Sequence, residues 1–246
     1  MVRDILKTLK PVWTLTTTAV YTTVLGTPTI IMGIFSDTAR APFFMGRIWA
    51  RLIMTTNRVK LQVEGLENVV KHRSYVFISN HASNLDPLGI IRALPRPLRF
   101  VGKESLAKIP IFGWAARLGK IIFIDRSDPR KAIETINKAV SDLKDGISAY
   151  FFAEGTRSPD GKLLPFKKGG VLFAIRSKLP IVPITVVGSY KLLPKKSLYI
   201  KSGILKIIIS KPIDTSQYTE QDKDSLLEKV RNTIGKTISN YTDSNQ

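Results

Sequence analysis

The stretch from Tyr75 to Pro87 reads Tyr-Val-Phe-Ile-Ser-Asn-His-Ala-Ser-Asn-Leu-Asp-Pro. Its first five residues form a short, mostly apolar run, and polar residues follow, which favours a buried strand and then a loop. Asp86 and Pro87 predict the start of a helix, with aspartate at the N-cap and proline in the first turn. A strand that passes through a polar loop into a helix is the building unit of α/β folds.

The same order of elements recurs after residue 58. Alternating apolar and polar residues from Val59 to Glu64 predict a half-buried strand. The other predicted strands are Tyr75–Ser79, Arg99–Val101, Ile121–Ile124, Ala149–Ala153, Ile181–Val187 and Leu205–Ile209. Pro183 lies inside one of these runs and predicts an edge strand, a bulge or a point of chain entry.

Helical signals fall between several of the strands. Asp128-Pro129 predicts an N-cap and a first-turn proline for a helix that ends at Gly146. A last helix is predicted from Glu220 to Ser239, with a frayed polar tail after Asn240. We therefore expect residues 58–246 to form an α/β domain whose mixed, largely parallel sheet is flanked by helices.

The charge balance and the scarce reactive residues limit the function. Among 246 residues, 38 Lys and Arg face 19 Asp and Glu, for a net charge of +19, which favours an anionic partner such as nucleic acid or an acidic lipid surface. The absence of cysteine excludes disulfides, thiolate metal sites and a cysteine nucleophile. His72 and His81 are the only histidines, which excludes a histidine-rich metal site.

The N-terminal segment is apolar. No charged residue occurs from Pro11 to Ser36, which is long enough for a bilayer span of roughly 20 residues. The stretch is rich in threonine, and Gly26-Thr27-Pro28 interrupts it, which favours two shorter helices over one span. A signal peptide fits poorly, because no small-residue cleavage site is present.

A second N-terminal helix is predicted from Pro42 to Met54. Its apolar residues recur at helical spacing, while its two arginines share another edge. We expect this helix to lie in a membrane interface, and the residues predicted to contact lipid are Phe44, Arg47, Ile48, Trp49 and Arg51. The alternative is an ordinary core helix with two solvated arginines. Residues 1–57 are accordingly predicted to be a helical membrane-binding segment.

His81 and Asp86 are candidate catalytic residues. A loop that folds back at Ser83-Asn84 would let the Asp86 carboxylate hold one tautomer of the His81 imidazole. A general base that acts on a bound hydroxyl needs this arrangement, with one ring nitrogen oriented and the other free. The alternative is a loop histidine beside an aspartate that only caps a helix.

Two further blocks offer cationic side chains. Lys103 follows the strand Arg99–Val101, where its ammonium group would either meet an anionic head group or be solvated. Glu154-Gly155-Thr156-Arg157 follows an apolar strand; glycine permits a sharp turn, and arginine presents a planar fork to phosphate oxygens. An ion pair between Glu154 and Arg157 that braces the turn is the structural alternative.

In this order the blocks closely resemble those of the glycerolipid acyltransferase family, and most of all its bacterial-type lysophosphatidic acid acyltransferases. That family has a histidine, four residues and an aspartate, then a lysine-led block that closes with Asp-Arg, a Glu-Gly-Thr-Arg block and a Val-Pro block. Here these fall at His81/Asp86, Lys103–Arg126, Glu154–Arg157 and Val182-Pro183. The resemblance covers roughly residues 75–190, and the joint occurrence is far more specific than any single block. One departure is Ala153, where the family usually has proline.

The resemblance implies a reaction and roles for these residues. A fatty acyl group would pass from acyl-CoA or acyl carrier protein to the sn-2 hydroxyl of lysophosphatidic acid, giving phosphatidic acid for phospholipid synthesis. His81 would be the base and Asp86 its partner. The residues implied at the substrate phosphate are Lys103, Glu154, Gly155, Thr156 and Arg157. The resemblance implies no metal or cofactor, anionic membrane lipids as partners, and a location on the cytoplasmic side of the inner membrane.

Two alternatives stay open. The first is the same chemistry on another acceptor, either glycerol-3-phosphate or a lysophospholipid with a larger head group. The second is a non-catalytic basic protein that binds lipid or nucleic acid. Nucleic-acid binding is disfavoured, because the basic run Lys191–Lys211 is interleaved with a single aromatic residue, Tyr199.

Overall fold

The computed structural model describes residues 2–35, 40–125, 128–141 and 147–243. The helices are α1 (Val2–Ile34), α2 (Arg40–Thr56), α3 (Leu85–Ala93), α4 (Phe112–Leu118), α5 (Pro129–Ser141), α6 (Gly169–Ser177), α7 (Ser189–Leu192) and α8 (Lys223–Asp243). The strands are β1 (Val59–Glu64), β2 (Val76–Ser79), β3 (Leu98–Lys103), β4 (Ile122–Ile124), β5 (Ser148–Phe152), β6 (Ile181–Val187) and β7 (Gly203–Ile209). Short 3-10 turns occupy Leu66–Asn68, Glu104–Lys108 and Glu220–Asp222.

The seven strands form one sheet in the order β1-β7-β6-β2-β5-β3-β4. Every neighbouring pair is parallel except β6 with β7. Separate apolar clusters cover the two faces of the sheet, one around Phe77 and Tyr150 and the other around Ile78 and Phe173. Burial on both faces explains why the central strands read as continuous apolar runs. The predicted fold class and all seven predicted strands are confirmed.

Of the three interpretations of Pro183, the edge strand is wrong. Its strand, β6, is interior, and Pro183 pairs with Ile78 of β2. The Pro183 carbonyl accepts a hydrogen bond from the N–H of Ser210 (3.0 Å), one residue beyond the end of β7. The nitrogen and the carbonyl of a strand residue face the same neighbouring strand. The N–H that Pro183 lacks would therefore face Ser210, beyond the end of β7, so no hydrogen bond within β7 is lost.

The predicted helix at Asp128 is present as α5, and its end at Gly146 lies outside the described residues. Asp128 Oδ1 accepts hydrogen bonds from the N–H groups of Arg130 (3.0 Å) and Lys131 (3.2 Å), which confirms the N-cap. The last helix, α8, continues past the predicted frayed start at Asn240. The Tyr241 hydroxyl donates a hydrogen bond to the Glu64 carboxylate of β1, which holds this last turn.

α1 is one continuous helix, so the predicted break at Gly26-Thr27-Pro28 is wrong. Threonine hydroxyls satisfy carbonyls one turn back along the helix, among them Thr27 to Thr23 (2.8 Å) and Thr29 to Leu25 (2.6 Å). Gly26 serves close packing: a Cβ there would lie 2.4 Å from Cγ2 of Ile111, next to α4. Tertiary contact thus overrides the local signal to break. Within the described residues, no helix combines the length and the apolar character that a bilayer crossing needs.

α2 confirms the second predicted helix, but only part of it faces outward. Phe44 is 61% exposed and Arg51 is exposed, whereas Arg47 is half-buried against α3. Nη1 of Arg47 donates hydrogen bonds to the carbonyls of Ile91 (3.2 Å) and Leu94 (2.9 Å). The structure therefore gives Arg47 a protein partner, because the unpaired carbonyls at a helix end attract a cation, and contact of Arg47 with lipid stays a prediction.

Other residues of α2 turn inward. Ala50, Ile53 and Met54 are buried and belong to the same apolar cluster as Phe77. Ile48 is half-buried, and the half-buried Trp49 donates a hydrogen bond from Nε1 to the Thr22 hydroxyl of α1 (3.1 Å). The helix thus combines the two interpretations of its sequence, with one face in the core and another outside. Lipid contact by the exposed residues, and the boundary at residue 57, stay predictions.

Candidate active site

Three of the sequence blocks meet at one edge of the sheet. Ser79 pairs with Phe152, so β2 and β5 end at the same level, and Phe100 of β3 pairs with Tyr150 of β5. The carboxyl ends of these three parallel strands therefore lie side by side. His81 follows β2, the block 154–157 follows β5, and Lys103 ends β3.

His81 and Asp86 are in direct contact, as predicted. His81 Nδ1 lies 2.7 Å from Oδ2 of Asp86, and the same oxygen accepts the N–H groups of Ala82 (2.8 Å) and Ser83 (2.9 Å). The aspartate is fully buried. These three bonds fold the loop back onto the carboxylate and fix the carboxylate in front of the ring.

The N-cap assignment for Asp86 is wrong. α3 begins at Leu85, Asn84 occupies the cap position without a side-chain cap bond, and Asp86 lies in the first turn. An N-cap side chain accepts from N–H groups ahead of it, whereas the Asp86 carboxylate points back to residues 81–83. The carboxylate is therefore committed to the histidine loop and does not serve the helix.

The surroundings of His81 leave Nε2 as its available nitrogen. With Nδ1–H donated to Asp86, the neutral ring carries its lone pair on Nε2. One face of the ring stacks on Phe152, with centroids 4.0 Å apart and planes at 25°. The side chain is 16% exposed. The Asp86 carboxylate at Nδ1 and the Phe152 ring thus orient the imidazole, which stays partly open to a substrate.

Glu154 holds the backbone of His81. Its Oε1 accepts the N–H of His81 (2.8 Å) and its Oε2 accepts the N–H of Leu164 (3.1 Å). The N–H of Ser158 in turn donates to the carbonyl of His81 (2.8 Å). The segment after β5 therefore hydrogen-bonds both the N–H and the carbonyl of His81. The recorded partners of Glu154 are backbone groups, so the proposed Glu154–Arg157 brace is wrong.

The Glu154 carboxyl is also poorly placed to meet a phosphate. It is buried, and burial raises its pKa to about 7 against the two backbone bonds, with the charge of Asp86 adding to the rise. Glu154 is therefore reassigned from the residues expected at the phosphate to a residue that positions the His81 backbone. Next to it, Gly155 has φ +66°, and a Cβ there would meet Cδ of Lys167 at 3.0 Å, so the turn favours glycine.

Cations border this edge. Lys103 is exposed at the end of β3, and Arg157 is half-buried. Among the described residues, no hydrogen bond or ion pair is recorded for the Arg157 guanidinium. Nζ of Lys195 donates to the Arg157 carbonyl (2.9 Å) and lies 3.4 Å from the Thr156 hydroxyl. Of the Lys103–Arg126 block, Arg126 lies outside the described residues.

An apolar cavity of about 110 Å³ lies between α1, α2, α4 and β3. Its lining includes Thr22, Phe43, Trp49, Ile91, Phe100 and Phe112. The ring of Phe100 lies 6.3 Å from the ring of Phe152, which stacks on His81. The rings of Phe100 and Phe152 thus connect the cavity wall to the histidine, and the apolar cavity suits an alkyl chain. In the described part of the chain, no three His, Asp or Glu side chains are grouped to hold a metal ion.

Comparison with known proteins assigns the family. The model of the Acyltransferase family matches residues 60–187, more than half of the chain. The chain belongs to the Acyltransferase family. The chain is 36% identical over 181 residues to a 1-acyl-sn-glycerol-3-phosphate acyltransferase of Saccharomyces cerevisiae, a match that covers 72% of this chain and 59% of the relative. The chloroplastic 1-acyl-sn-glycerol-3-phosphate acyltransferase BAT2 of Brassica napus is 34% identical over 197 residues, which covers 79% and 55%. The chain thus spans a little over half the length of these curated relatives.

A solved structure shows the same fold. The crystal structure of the 1-acyl-sn-glycerophosphate acyltransferase PlsC from Thermotoga maritima superposes with a TM-score of 0.82, and the match covers 98% of each chain at 24% identity. The likeness extends over α1 and α2 as well as the sheet. The family model itself begins at residue 60, close to the predicted boundary.

Sequence reasoning missed two features of this Acyltransferase site. Lys195 was one lysine in a basic run, and its contact with residues 156 and 157 joins positions nearly forty apart in sequence. The role of Glu154 as a backbone acceptor was equally remote, since it spans 73 residues to His81. The departure at Ala153 leaves the turn intact, because its carbonyl accepts the N–H of Lys167 at 2.7 Å.

Proposed function

We propose that this Acyltransferase moves a fatty acyl group from a thioester to the sn-2 hydroxyl of lysophosphatidic acid and releases phosphatidic acid. The observation that carries the proposal is the His81–Asp86 contact of 2.7 Å, which leaves Nε2 free at an edge bordered by Lys103 and Arg157. The yeast and rapeseed relatives, both named as 1-acyl-sn-glycerol-3-phosphate acyltransferases, support the same acceptor.

The reaction needs one base that accepts the proton of the acceptor hydroxyl and then donates it to the leaving group. Nε2 of His81 takes the proton of the acceptor hydroxyl while the oxygen attacks the thioester carbonyl carbon. The new C–O bond gives a tetrahedral intermediate, the C–S bond breaks, and the leaving thiolate takes the proton from the imidazolium. Asp86 stabilises the imidazolium and keeps its Nδ1–H oriented, as the carboxylate does in other histidine-based acyl transfers.

The acceptor phosphate would bind the cations at this edge. Arg157 supplies a planar fork suited to two phosphate oxygens, and Lys103 and Lys195 supply point charges. Lys195 contacts the loop that carries Arg157, which places its charge beside the proposed phosphate site. It was not among the phosphate-binding residues expected from the sequence. Glu154 would act at one remove, through the backbone of His81.

The acyl chain would occupy the cavity beside Phe100. Its walls are almost wholly apolar, as a hydrocarbon requires, and α1 and α2 form one side of it. The same two helices expose apolar residues, including Trp13 and Phe44. Exposed apolar surface of this extent marks an interaction site, which here fits a lipid surface from which both substrates are drawn. From the family resemblance alone, we propose that this surface faces the cytoplasmic side of the inner membrane.

The test is a donor-by-acceptor matrix with the purified full chain in lipid micelles. Acyl-CoA and acyl carrier protein are each paired with lysophosphatidic acid, glycerol-3-phosphate and a lysophospholipid that has a larger head group. We expect phosphatidic acid as the main product, and equal turnover of the other acceptors would contradict the assignment. His81→Ala should lower the rate by about 10² to 10⁴. His72→Ala is the matched control, since His72 is exposed and bonds to neither block.

A further inference from the structure

A group of exposed apolar side chains lies outside α1 and α2, in the segment between β3 and β4. Leu106 belongs to the 3-10 turn, Ile109 follows it, and Trp114 of α4 is 59% exposed. α4 has a buried side at Gly113 and Ala116, yet its largest side chain points outward. Single exposed apolar residues are ordinary, whereas three large ones this close together form a patch that marks an interaction surface.

The turn that carries Ile109 is tightly constrained. Ile111 has φ +62°, which is rare for a β-branched residue, and a Cβ on Gly113 would overlap the carbonyl oxygen of Ala107. The N–H of Gly113 donates to the Ile109 carbonyl (2.7 Å), and the N–H of Ile109 donates to the Leu106 carbonyl (3.3 Å). Backbone strain that the surrounding structure holds in place clusters at functional positions. The exposure of Ile109 is therefore a fixed feature of an ordered turn.

α4 packs along α1 in the same direction. A Cβ on Gly26 would meet Ile111. Seven residues further along both helices, a Cβ on Gly33 would meet Leu118. The apolar cavity lies on one side of this contact, and its lining residues from the two helices include Thr22, Leu25, Thr29, Phe112, Ala115 and Gly119. At 3.6 residues per turn, Trp114 projects from α4 on the opposite side of the contact.

The exposed apolar residues of α1 lie on that same side. Helical spacing places Val20, Ile31 and Ile34 away from the cavity, and all three are exposed. Trp114 therefore continues the apolar surface of α1 onto α4. The two helices present one surface, although they are separated in sequence by two strands and the whole histidine loop.

Cations surround the patch. Lys103, Lys108, Arg117 and Lys120 are exposed, and Glu104 is the only acidic residue between positions 103 and 120. An apolar surface rimmed by cations fits a membrane that contains anionic lipids. A second copy of this chain would bring the same cations to the same face and be repelled, so charge favours the lipid surface as the partner.

We propose that Leu106, Ile109 and Trp114 dock on a membrane surface that contains anionic lipids, as a continuation of the surface of α1. The apolar side chains enter the interface, and the cations at the rim meet lipid phosphates. Lys103 directly precedes the 3-10 turn, so docking holds this proposed phosphate ligand at the level of the lipid head groups. The docking does not depend on acyl transfer; only its effect on the acceptor rests on the proposed function.

Tryptophan fluorescence reports the docking directly. The chain has three tryptophans, so Trp13→Phe together with Trp49→Phe leaves Trp114 as the single fluorophore of its kind. Vesicles of phosphatidylcholine and phosphatidylglycerol should move its emission to shorter wavelength, because the exposed indole leaves water. Lipids brominated on the acyl chain should quench the emission. Raising the protein concentration without lipid should leave it unchanged.

Sedimentation with the same vesicles separates the apolar and the charged contributions. Trp114→Glu should weaken binding by about 10-fold, because it removes the largest apolar side chain of the patch. Lys108→Gln and Arg117→Gln should each weaken binding to these anionic vesicles by about 5-fold and leave binding to pure phosphatidylcholine unchanged. Val70→Glu is the matched control and should have no effect, since Val70 is 60% exposed but precedes β2, whereas Lys103 ends β3.

The effect on the acceptor is measured separately. Trp114→Glu should raise the KM for long-chain lysophosphatidic acid in vesicles by about 10-fold and leave the KM for soluble hexanoyl lysophosphatidic acid unchanged. Val70→Glu should change neither value. If the Trp114 emission responds to vesicles while neither the parent chain nor any variant transfers acyl groups, the docking stands and the proposed function fails.

An unchanged Trp114 emission in a protein that pellets with the vesicles would overturn the docking, as would a failure of the parent chain to pellet. A shift that protein concentration alone produces would also overturn it and identify a second copy as the partner. If the double variant does not fold, the parent chain labelled with 5-fluorotryptophan provides the second measurement. The ¹⁹F resonance that Trp114→Phe removes should shift in lipid micelles, and an unshifted resonance would contradict the proposal.

Discussion

At the scale of single residues, the Arg157 guanidinium has no recorded partner among the described residues, so its contribution can be tested by a single substitution. The guanidinium is half-buried, and its carbonyl, not its charge, is what Lys195 holds. Arg157→Ala should therefore leave the fold intact and raise the KM for lysophosphatidic acid far more than the KM for the acyl donor. Arg130→Ala on the exposed side of α5 controls for lost charge. Equal changes for both substrates would argue against a phosphate contact.

Glu154 should make stability depend on pH. Its pKa is raised from 4.5 to about 7 in the folded protein, so between these values the folded chain holds a proton that the unfolded chain has released. This contribution to stability is complete below the unfolded pKa and is lost as the pH rises through about 7. Glu154→Gln should flatten that part of the pH dependence. Thermal unfolding of both proteins from pH 5 to pH 8 measures it, and parallel slopes would contradict the assignment.

Residue types and spacing predicted the His81–Asp86 pair because the two partners are only five residues apart in sequence. The same reasoning missed what distant residues do. Glu154 meets His81, Lys195 meets the 156–157 loop, and Arg47 meets the end of α3, each across several elements. Asp86 was misassigned as a cap because the same residue type serves both jobs, and only the direction of its carboxylate separates them.

At the scale of elements, the strands and α2 followed from local apolar patterns, whereas the continuity of α1 depended on packing that no local pattern records. Gly33 of α1 illustrates this: a Cβ there would lie 2.9 Å from Cβ of Leu118 in α4. Gly26 likewise approaches Ile111. Glycines that signal a break in isolation here allow two helices to approach closely.

Gly33→Ala should therefore destabilise the protein by about 1–3 kcal/mol, because neither backbone can shift without disturbing the helix contact. Gly46→Ala in α2 is the control, since nothing lies within 4 Å of a Cβ at that position. It should be neutral or stabilise by about 0.5–1 kcal/mol, as alanine is the better helix former. Urea unfolding of both variants measures the difference, and equal stability would show that α1 and α4 do not pack as described.

At the scale of the whole molecule, α1 carries an apolar surface and the chain carries a net charge of +19. From residue 9 onward, where side chains are described, the exposed large apolar residues of α1 are Leu9, Val12, Trp13, Leu15, Val20, Val24, Ile31, Met32 and Ile34. Removal of residues 1–57 would also expose the core, because α2 contributes Ile53 and Met54 to it. Membrane binding is therefore better tested by single substitutions than by truncation.

Trp13→Glu should reduce sedimentation of the protein with lipid vesicles, and more so with neutral vesicles, where basic residues add no attraction. Leu198→Glu is the control, because Leu198 is also 58% exposed but lies in the loop before β7. If both variants pellet with neutral vesicles as the parent protein does, α1 is not the lipid-binding surface.

The hydrogen bonds from Arg47 to the end of α3 have a mechanical consequence. α3 is a rod of nine residues, about 13 Å long at 1.5 Å per residue. One end carries the carboxylate that orients the base, and the other end is fastened to α2. The separation between the α2 contact at Arg47 and the carboxylate that orients the base is thus set by the length of one short helix.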